Sequence, residues 1–178
     1  MRTRILVTVA LGLLWAPSLA SAQNAPTRAQ VRQMLSGVEE TPSVQDWQRI
    51  GDGALPILIA LSQDADEPPY VRLRAVGATA AFPRPAVRTF LLGVARVEDQ
   101  PDLWIREAVF ALARAFGRDA AQEVAGFLDH EEASVRESAA LALARIGGGV
   151  AREAARARLR VEPDRVVRQA LQRALASD

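Results

Sequence analysis

Apolar residues recur at helical spacing along most of the chain. The clearest stretch runs from Val135 to Gly147, where apolar residues stand four, four and three positions apart. This spacing places them on one face of an α-helix. Gly147 ends the stretch, and glycine readily adopts the left-handed conformation that closes a helix. The pattern therefore predicts a helix that packs through one face.

The start of this helix returns at a regular interval. Val135-Arg136 has counterparts at Val71-Arg72, Ile105-Arg106 and Val167-Arg168, which are 34, 30 and 32 residues apart along the chain. A motif that returns at this interval is the signature of stacked repeats. Each motif follows an apolar segment and an acidic loop, so we predict a first helix (the A helix) and a second (the B helix) in every repeat.

Four helix pairs follow from this register, over residues 54–83, 84–117, 118–147 and 148–178. The A helices are predicted to begin near Ala54 and to span 85–95, 120–128 and 150–160. The B helices are predicted over 71–82, 103–116, 135–147 and 165–176. Counted from the apolar residue of the motif, the twelfth position is a bulky apolar residue in the first three repeats. In the fourth repeat it is Asp178. A polar ending suits a C-terminal cap that has no neighbour to bury it.

Residues 23–53 lack the repeated motif and are predicted to form a tether and an N-terminal helical cap. Thr27 is the expected N-cap of a helix that ends at Gly37. A second helix is expected from Ser43 to Gly51, with Val44, Trp47 and Ile50 turned inward. A stacked array needs such a cap to cover its open end.

The first 22 residues have the pattern of a secretory signal peptide. Arg2 and Arg4 precede an apolar run over 5–15, and Ala20-Ser21-Ala22 supplies the small residues of a cleavage site. We predict cleavage after Ala22 and export to a periplasm or out of the cell, with an uncleaved N-terminal anchor as the alternative. The apolar run is too short to span a bilayer, so no integral anchor is expected after cleavage.

Composition changes this picture in three ways. The absence of cysteine excludes disulfides and a lipid attached to cysteine. All 22 basic residues are arginine, which we attribute to a GC-rich genome, with selection for guanidinium chemistry as the alternative. Cleavage removes two arginines and no acid, which leaves 20 basic against 21 acidic residues. A net charge near −1 gives no reason to expect a nucleic-acid partner.

The stretch from Asp129 to Gly147, with its acidic turn, Val-Arg start, Ala-Ala centre and Ile-Gly end, resembles the HEAT-like repeats first named from phycobilisome lyases. The resemblance covers residues 54–178. It implies an all-α fold, an α-α superhelix of paired antiparallel helices with a right-handed twist, in which the B helices line the concave side. Such arrays serve as scaffolds, enzyme subunits and binding platforms, so the resemblance specifies the fold more closely than the function.

His130-Glu131 is the one pair of residues that resembles a catalytic motif. Deoxyhypusine hydroxylase, another HEAT-like array, ligates iron through several His-Glu pairs. This chain has a single histidine, and such a site needs ligands from several repeats. No second histidine or cysteine completes a nucleophile and base either. We therefore predict no catalytic residue, no metal and no cofactor.

The repeated arginines form a ladder of Arg72, Arg106, Arg136 and Arg168. They could bind a ligand, but we favour a structural role. A guanidinium at this place can bond loop carboxylates and unpaired carbonyls between repeats. The carboxylates expected as partners are Asp66, Asp102, Asp129 and Asp164. Tyr70 and Trp104, which directly precede the motif, are expected to pack between neighbouring loops.

Candidate binding residues come from two surfaces. The B helices are expected to direct six residues away from the A-helix layer, as a protein-binding surface: Glu107, Arg114, Glu137, Leu141, Arg145 and Arg173. The second surface is a basic patch with helical spacing: Arg152, Arg156 and Arg160. It could hold an acidic protein, an anionic glycan or a lipid headgroup, although we favour a solvated convex face.

These features predict an exported, monomeric, non-enzymatic HEAT-repeat scaffold that binds a protein partner through its concave B-helix surface. The alternative is an accessory subunit or lyase-like enzyme that holds a small molecule between repeats. A third hypothesis is a purely structural envelope component. A deep apolar cavity with convergent polar groups would favour the small-molecule hypothesis, and a smooth groove would favour the scaffold.

Overall fold

The computed structural model describes residues 25–37 and 41–176. The predicted signal peptide and Asp178 lie outside the described residues. The described residues form α-helices joined by short loops and 3₁₀ turns, without a strand. In chain order the helices are α1 (Arg28–Ser36), α2 (Val44–Ile50), α3 (Ala54–Gln63), α4 (Pro69–Ala78), α5 (Pro85–Ala95), α6 (Asp102–Phe116), α7 (Ala121–Gly126), α8 (Ala133–Ile146), α9 (Gly148–Leu159) and α10 (Arg165–Ala176).

From α3 onward the helices form consecutive packed pairs, α3 with α4, α5 with α6, α7 with α8 and α9 with α10. The B helices α4, α6, α8 and α10 also pack on one another in sequence, and they do so more extensively than the A helices do. The B helices therefore lie on the inner side of the curve and the A helices on the outer side. The predicted all-α solenoid is confirmed.

Helices α1 and α2 cover the first pair. Thr27 caps α1 and Ser43 caps α2, each in a reciprocal capping box. Helix α1 packs on α3 and α4, and α2 packs on the 3₁₀ turn that follows α4. Trp47 is buried as expected, but Val44 is 46 % exposed, so its predicted inward orientation is wrong. Val44 is the first residue of a helix of seven residues, which buries only Trp47.

Two predicted helices are interrupted. Helix α4 ends at Ala78 and continues as a 3₁₀ turn over Thr79–Ala81. There the Thr79 hydroxyl donates to the Val76 carbonyl at 2.7 Å, which competes with the helical hydrogen bonds. The third A helix, predicted over 120–128, is divided into the 3₁₀ turn Gly117–Ala120, α7 and the 3₁₀ turn Phe127–Asp129. Gly126 ends α7, because glycine lowers helix propensity, and the second turn buries both Phe127 and Leu128.

One buried cluster extends through the described residues from Val31 to Ala174. Its larger members include a leucine in every helix pair, and each contributes about 2 kcal/mol through burial: Leu58, Leu61, Leu91, Leu112, Leu143 and Leu171. Alanines occupy many of the contact positions between B helices. Their small side chains bring the helices close, which gives the array a closely packed inner layer.

Candidate protein-binding surface

Arg136 lies at the centre of a buried polar cluster between the third and fourth repeats. Its Nε and Nη2 donate to the two carboxylate oxygens of Glu162, both at 2.9 Å. Its Nη1 donates to the carbonyls of His130 at 2.9 Å and Glu131 at 2.6 Å. Arg158 also donates to Glu162, at 2.8 Å. The cluster therefore holds two neighbouring loops together.

Glu162 is ionised in this setting. Burial by itself would raise its pKa, but hydrogen bonds from Arg136, the Asp164 backbone N–H and Arg158 outweigh burial and lower the pKa to about 2. The same pairing raises the pKa of Arg136, since its hydrogen bond to Glu162 exceeds the opposing effect of burial. Both groups keep their charges throughout the neutral range.

The other ladder arginines bind different groups. Arg72 lies over the Trp104 ring at 5.1 Å and donates to the Ser62 carbonyl. Arg106 donates to the Ser138 hydroxyl at 2.9 Å. Arg168 donates to the carbonyls of Leu159 and Glu162 at 3.1 and 3.2 Å. Arg72, Arg136 and Arg168 thus reach loop or helix-end carbonyls.

The predicted aspartate partners are wrong. In the described part of the chain, Asp102 accepts from the Ser134 hydroxyl and Asp129 from Arg158. Asp164 instead accepts from the first backbone N–H groups of α10, as a helix cap does. The Asp66 backbone N–H donates to Asp64. The side chains of Asp102, Asp129 and Asp164 are therefore engaged with other groups, and the carboxylate that binds Arg136 is Glu162 of the following repeat.

Trp104 packs as predicted, because Arg72 of the preceding repeat covers its ring. Tyr70 does not. It is half exposed, and its ring lies under Arg74 of its own helix at 5.7 Å. The predicted packing of Tyr70 between neighbouring loops is therefore wrong.

The least buried faces of the B helices carry the predicted binding residues. On α6, Glu107 and Arg114 form an ion pair at 2.9 Å. On α8, Glu137 and Leu141 are partly exposed and Arg145 is exposed. Arg173 is exposed on α10. These residues lie on three successive B helices, α6, α8 and α10. We call this face of α4, α6, α8 and α10 the inner surface.

A cavity of about 380 Å³ opens where the inner surface meets the N-terminal cap. Leu35, Trp47 and Leu73 supply apolar walls, and Glu107 and Arg114 supply a polar one. Arg114 also donates to the Gly77 carbonyl at 3.1 Å. The cavity is therefore mainly apolar, and Thr41 and Arg74 add polar groups to the Glu107–Arg114 pair at its side.

Gly77 makes this arrangement fit. A Cβ at Gly77 would stand 2.1 Å from the Glu107 carboxylate oxygen and 3.1 Å from Arg114 Nη2. The ion pair therefore lies directly against the α4 backbone. Counted from the apolar residue of the motif, Gly77 occupies the seventh position, as Leu141 and Arg173 do in their repeats. The repeat register could therefore have identified Gly77.

Sequence reasoning also missed Phe110 and Leu73. Phe110 is half-buried and stands three residues after Glu107 and four before Arg114, so it shares their face of α6. Leu73 lines the cavity from α4. The helical spacing from Glu107 was the available signal for Phe110. Leu73 gave no comparable signal.

A second cavity, of about 420 Å³, lies between the first two repeats at their loop edge. Phe90, Val94 and Val97 line one side, and Arg72 and Trp104 line the other. The Arg72 guanidinium that faces this space is already stacked on Trp104. The second cavity is thus a gap between repeats, and its one arginine, Arg72, already contacts Trp104 and the Ser62 carbonyl.

In the predicted basic patch, Arg156 is exposed on α9, Arg160 is exposed directly after α9, and Arg152 is partly buried. Arg158 is turned toward Glu162 and Asp129.

His130 Nδ1 accepts from the Glu132 backbone N–H at 3.1 Å. Across the described residues, no group of His, Cys, Asp or Glu side chains could hold a metal ion. No helix among them is long and apolar enough to cross a membrane.

The helix pairs, the inner layer of B helices and the arginine at each B-helix start describe one repeated unit. A family model described as HEAT repeats matches residues 95–176. Residues 95–176 are therefore HEAT repeats. Helices α3, α4 and α5, over residues 54–95, continue the same array toward the N-terminus. HEAT repeats generally act as scaffolds for protein interactions. A comparison with curated proteins found no match.

Proposed function

We propose that this HEAT-repeat protein is an exported, non-enzymatic scaffold that binds a protein partner through its inner surface. The observation that carries the proposal is the continuous inner layer of packed B helices, which presents partly exposed side chains from α6, α8 and α10. An extended surface of this kind suits a polypeptide, because each residue of a bound segment offers a side chain, an N–H group and a carbonyl.

The inner surface is prepared for binding before a partner arrives. Glu107 and Arg114 hold each other, and Arg114 is also bonded to the Gly77 carbonyl. Binding would therefore freeze few additional rotamers, which lowers its entropic cost. Phe110 and Leu141 are half-buried apolar side chains on the same surface. They are suitable anchors, since a few apolar or aromatic residues usually supply most of the affinity.

The binding test uses two matched pairs of substitutions. Glu137→Arg with Leu141→Arg changes the inner surface on α8. Glu153→Arg with Ala157→Arg makes the same change in charge at the same spacing on the exposed side of α9. We expect capture of a stoichiometric partner from the native compartment to be lost with the first pair and kept with the second. Equal capture by both variants, each with an unchanged helical spectrum, would contradict the proposal.

Export needs its own measurement. The apolar segment over 5–15 and the small residues at 20–22 support cleavage after Ala22. Mass spectrometry of the protein isolated outside the cytoplasm is expected to show an N-terminus at Gln23. An intact N-terminus on membrane-bound protein would support the uncleaved anchor instead.

The cavity also favours a second candidate function, in which the protein is an accessory subunit or lyase-like enzyme that holds a small molecule. A volume of about 380 Å³ lies at the lower end of the range for ligand pockets, which is roughly 300–1,000 Å³. Mass spectrometry of the protein under native conditions distinguishes the two. A co-purifying small molecule that Leu73→Trp displaces would support this candidate, whereas its absence with a retained protein partner would support the scaffold.

A further inference from the structure

The loop between α9 and α10 differs from the other loops that join A and B helices. The loops of the first three repeats expose acids: Asp66 in the first, Glu98 and Asp99 in the second, and Glu131 and Glu132 in the third. The loop of the fourth repeat has two acids in its sequence, Glu162 and Asp164, but both are used internally. Glu162 is buried against Arg136 and Arg158, and Asp164 caps α10.

The side chains that this loop leaves exposed are basic or apolar. Arg160, Val161, Pro163, Arg165 and Val166 are all exposed. Val161 has 70 % of its surface exposed, more than any other large apolar side chain in the described part of the chain. We call these five residues the basic tip.

Exposed arginines also flank the basic tip on both sides. Arg156 stands one helical turn before Arg160, and Arg168 stands about one turn after Arg165; both are exposed. Glu153 is the exposed acid nearest to them on α9. The acids of the third loop lie on the neighbouring repeat, so a negatively charged surface would have to approach the C-terminal end of the array rather than its whole edge.

We propose that the basic tip docks the protein onto an anionic lipid surface. A projecting tip of valines flanked by arginines suits a bilayer interface, because apolar side chains can enter the headgroup region while guanidinium groups remain at the phosphates. The buried Arg136–Glu162 pair holds the loop in place, so the tip is formed before contact. This docking is independent of the inner surface, which remains open to a protein partner.

The test is sedimentation with vesicles of phosphatidylcholine, with and without phosphatidylglycerol. The protein begins at Gln23, because the apolar segment before it would bind lipid by itself. The described core lies entirely between Val31 and Ala174, so this form keeps it whole. We expect binding to the anionic vesicles, weakened by salt, and little binding to the neutral ones.

Two paired variants locate the contact. Each arginine near an anionic membrane contributes about 1 kcal/mol, or about a factor of five, so Arg160→Gln with Arg165→Gln is expected to weaken binding about 30-fold. Arg118→Gln with Arg145→Gln removes the same charge at the opposite edge and is expected to weaken binding less than about threefold, because screening limits distant charges. Val161→Ser with Val166→Ser is expected to reduce the binding that remains at high salt.

Three results would overturn the proposal. The first is equal binding to both kinds of vesicle or to neither. The second is an equal loss with both arginine pairs while all variants keep the melting temperature of the parent protein. The third is binding to poly-glutamate, and not to anionic vesicles, that depends on Arg160 and Arg165. That last result would assign the basic tip to an acidic protein.

Discussion

Arg136 and Glu162 form a two-point ion pair in the interior of the protein, with both hydrogen bonds at 2.9 Å and with side chains that are 8 % and 0 % exposed. Arg136 belongs to the third B helix and Glu162 to the loop of the fourth repeat. The pair therefore joins two repeats through charge, as Arg158 and Asp129 also do at the surface.

Glu162→Gln is expected to destabilise the protein by about 3–5 kcal/mol, because it leaves the buried Arg136 guanidinium without a compensating charge. Urea denaturation followed by circular dichroism measures the change. Glu153→Gln, at an exposed position on α9, is the control and is expected to change stability by less than about 0.5 kcal/mol. A similar small effect for both variants would show that the pair does not hold the repeats.

The pair also predicts a dependence of stability on pH. The pKa of Glu162 falls from its ordinary value of 4.5 to about 2 on folding, so the folded state favours the ionised form. This contribution is present above about pH 4.5 and is lost as the pH falls toward 2. It amounts to roughly 3 kcal/mol. The stability difference between the parent protein and Glu162→Gln should therefore shrink over this range, and a constant difference would contradict the assignment.

The four ladder arginines are expected to differ in importance although they share one sequence position. Arg136→Ala should destabilise the protein by at least about 3 kcal/mol, since it leaves Glu162 buried with less compensation. Arg106→Ala, which removes a hydrogen bond to Ser138, should cost about 1 kcal/mol. Thermal and urea denaturation of the two variants tests this order. Equal costs would indicate a uniform ladder.

Gly77 and Glu107 are expected to be coupled. In a Glu107→Ala protein, Gly77→Ala should stabilise the protein by up to about 1 kcal/mol through helix propensity. With Glu107 present, the new Cβ displaces its carboxylate from Arg114, and the gain should be largely cancelled. A double-mutant cycle by urea denaturation measures the coupling. Additive effects would mean that the ion pair does not depend on contact with the α4 backbone.

The repeat register could be predicted from the sequence because every B helix carries the same apolar-arginine pair near its start. The bounds of α5, the cap Thr27 and the start of α2 beside Ser43 followed from equally local signals. The partners of the arginines could not be predicted in this way. Glu162 reaches Arg136 from the next repeat, and the spacing within one repeat contains no information about that contact.

The cavity was also beyond sequence reasoning. It depends on the absence of a side chain at Gly77, on the position of α2 and on the pairing of Glu107 with Arg114. Phe110 was within reach, since it shares a helical face with both charged residues. The sequence therefore indicated which helices form the inner surface, but the groups that meet there depend on how the cap and two repeats pack.

Photo-crosslinking at two phenylalanines tests the proposed function most directly. Phe110 lies on the inner surface of α6 and Phe90 on the outer helix α5, and both are half-buried. Benzoylphenylalanine at each position would be activated in the native compartment. We expect one crosslinked protein from position 110 and none from position 90. Crosslinking from position 90 alone, or from neither position, would contradict a protein partner on the inner surface.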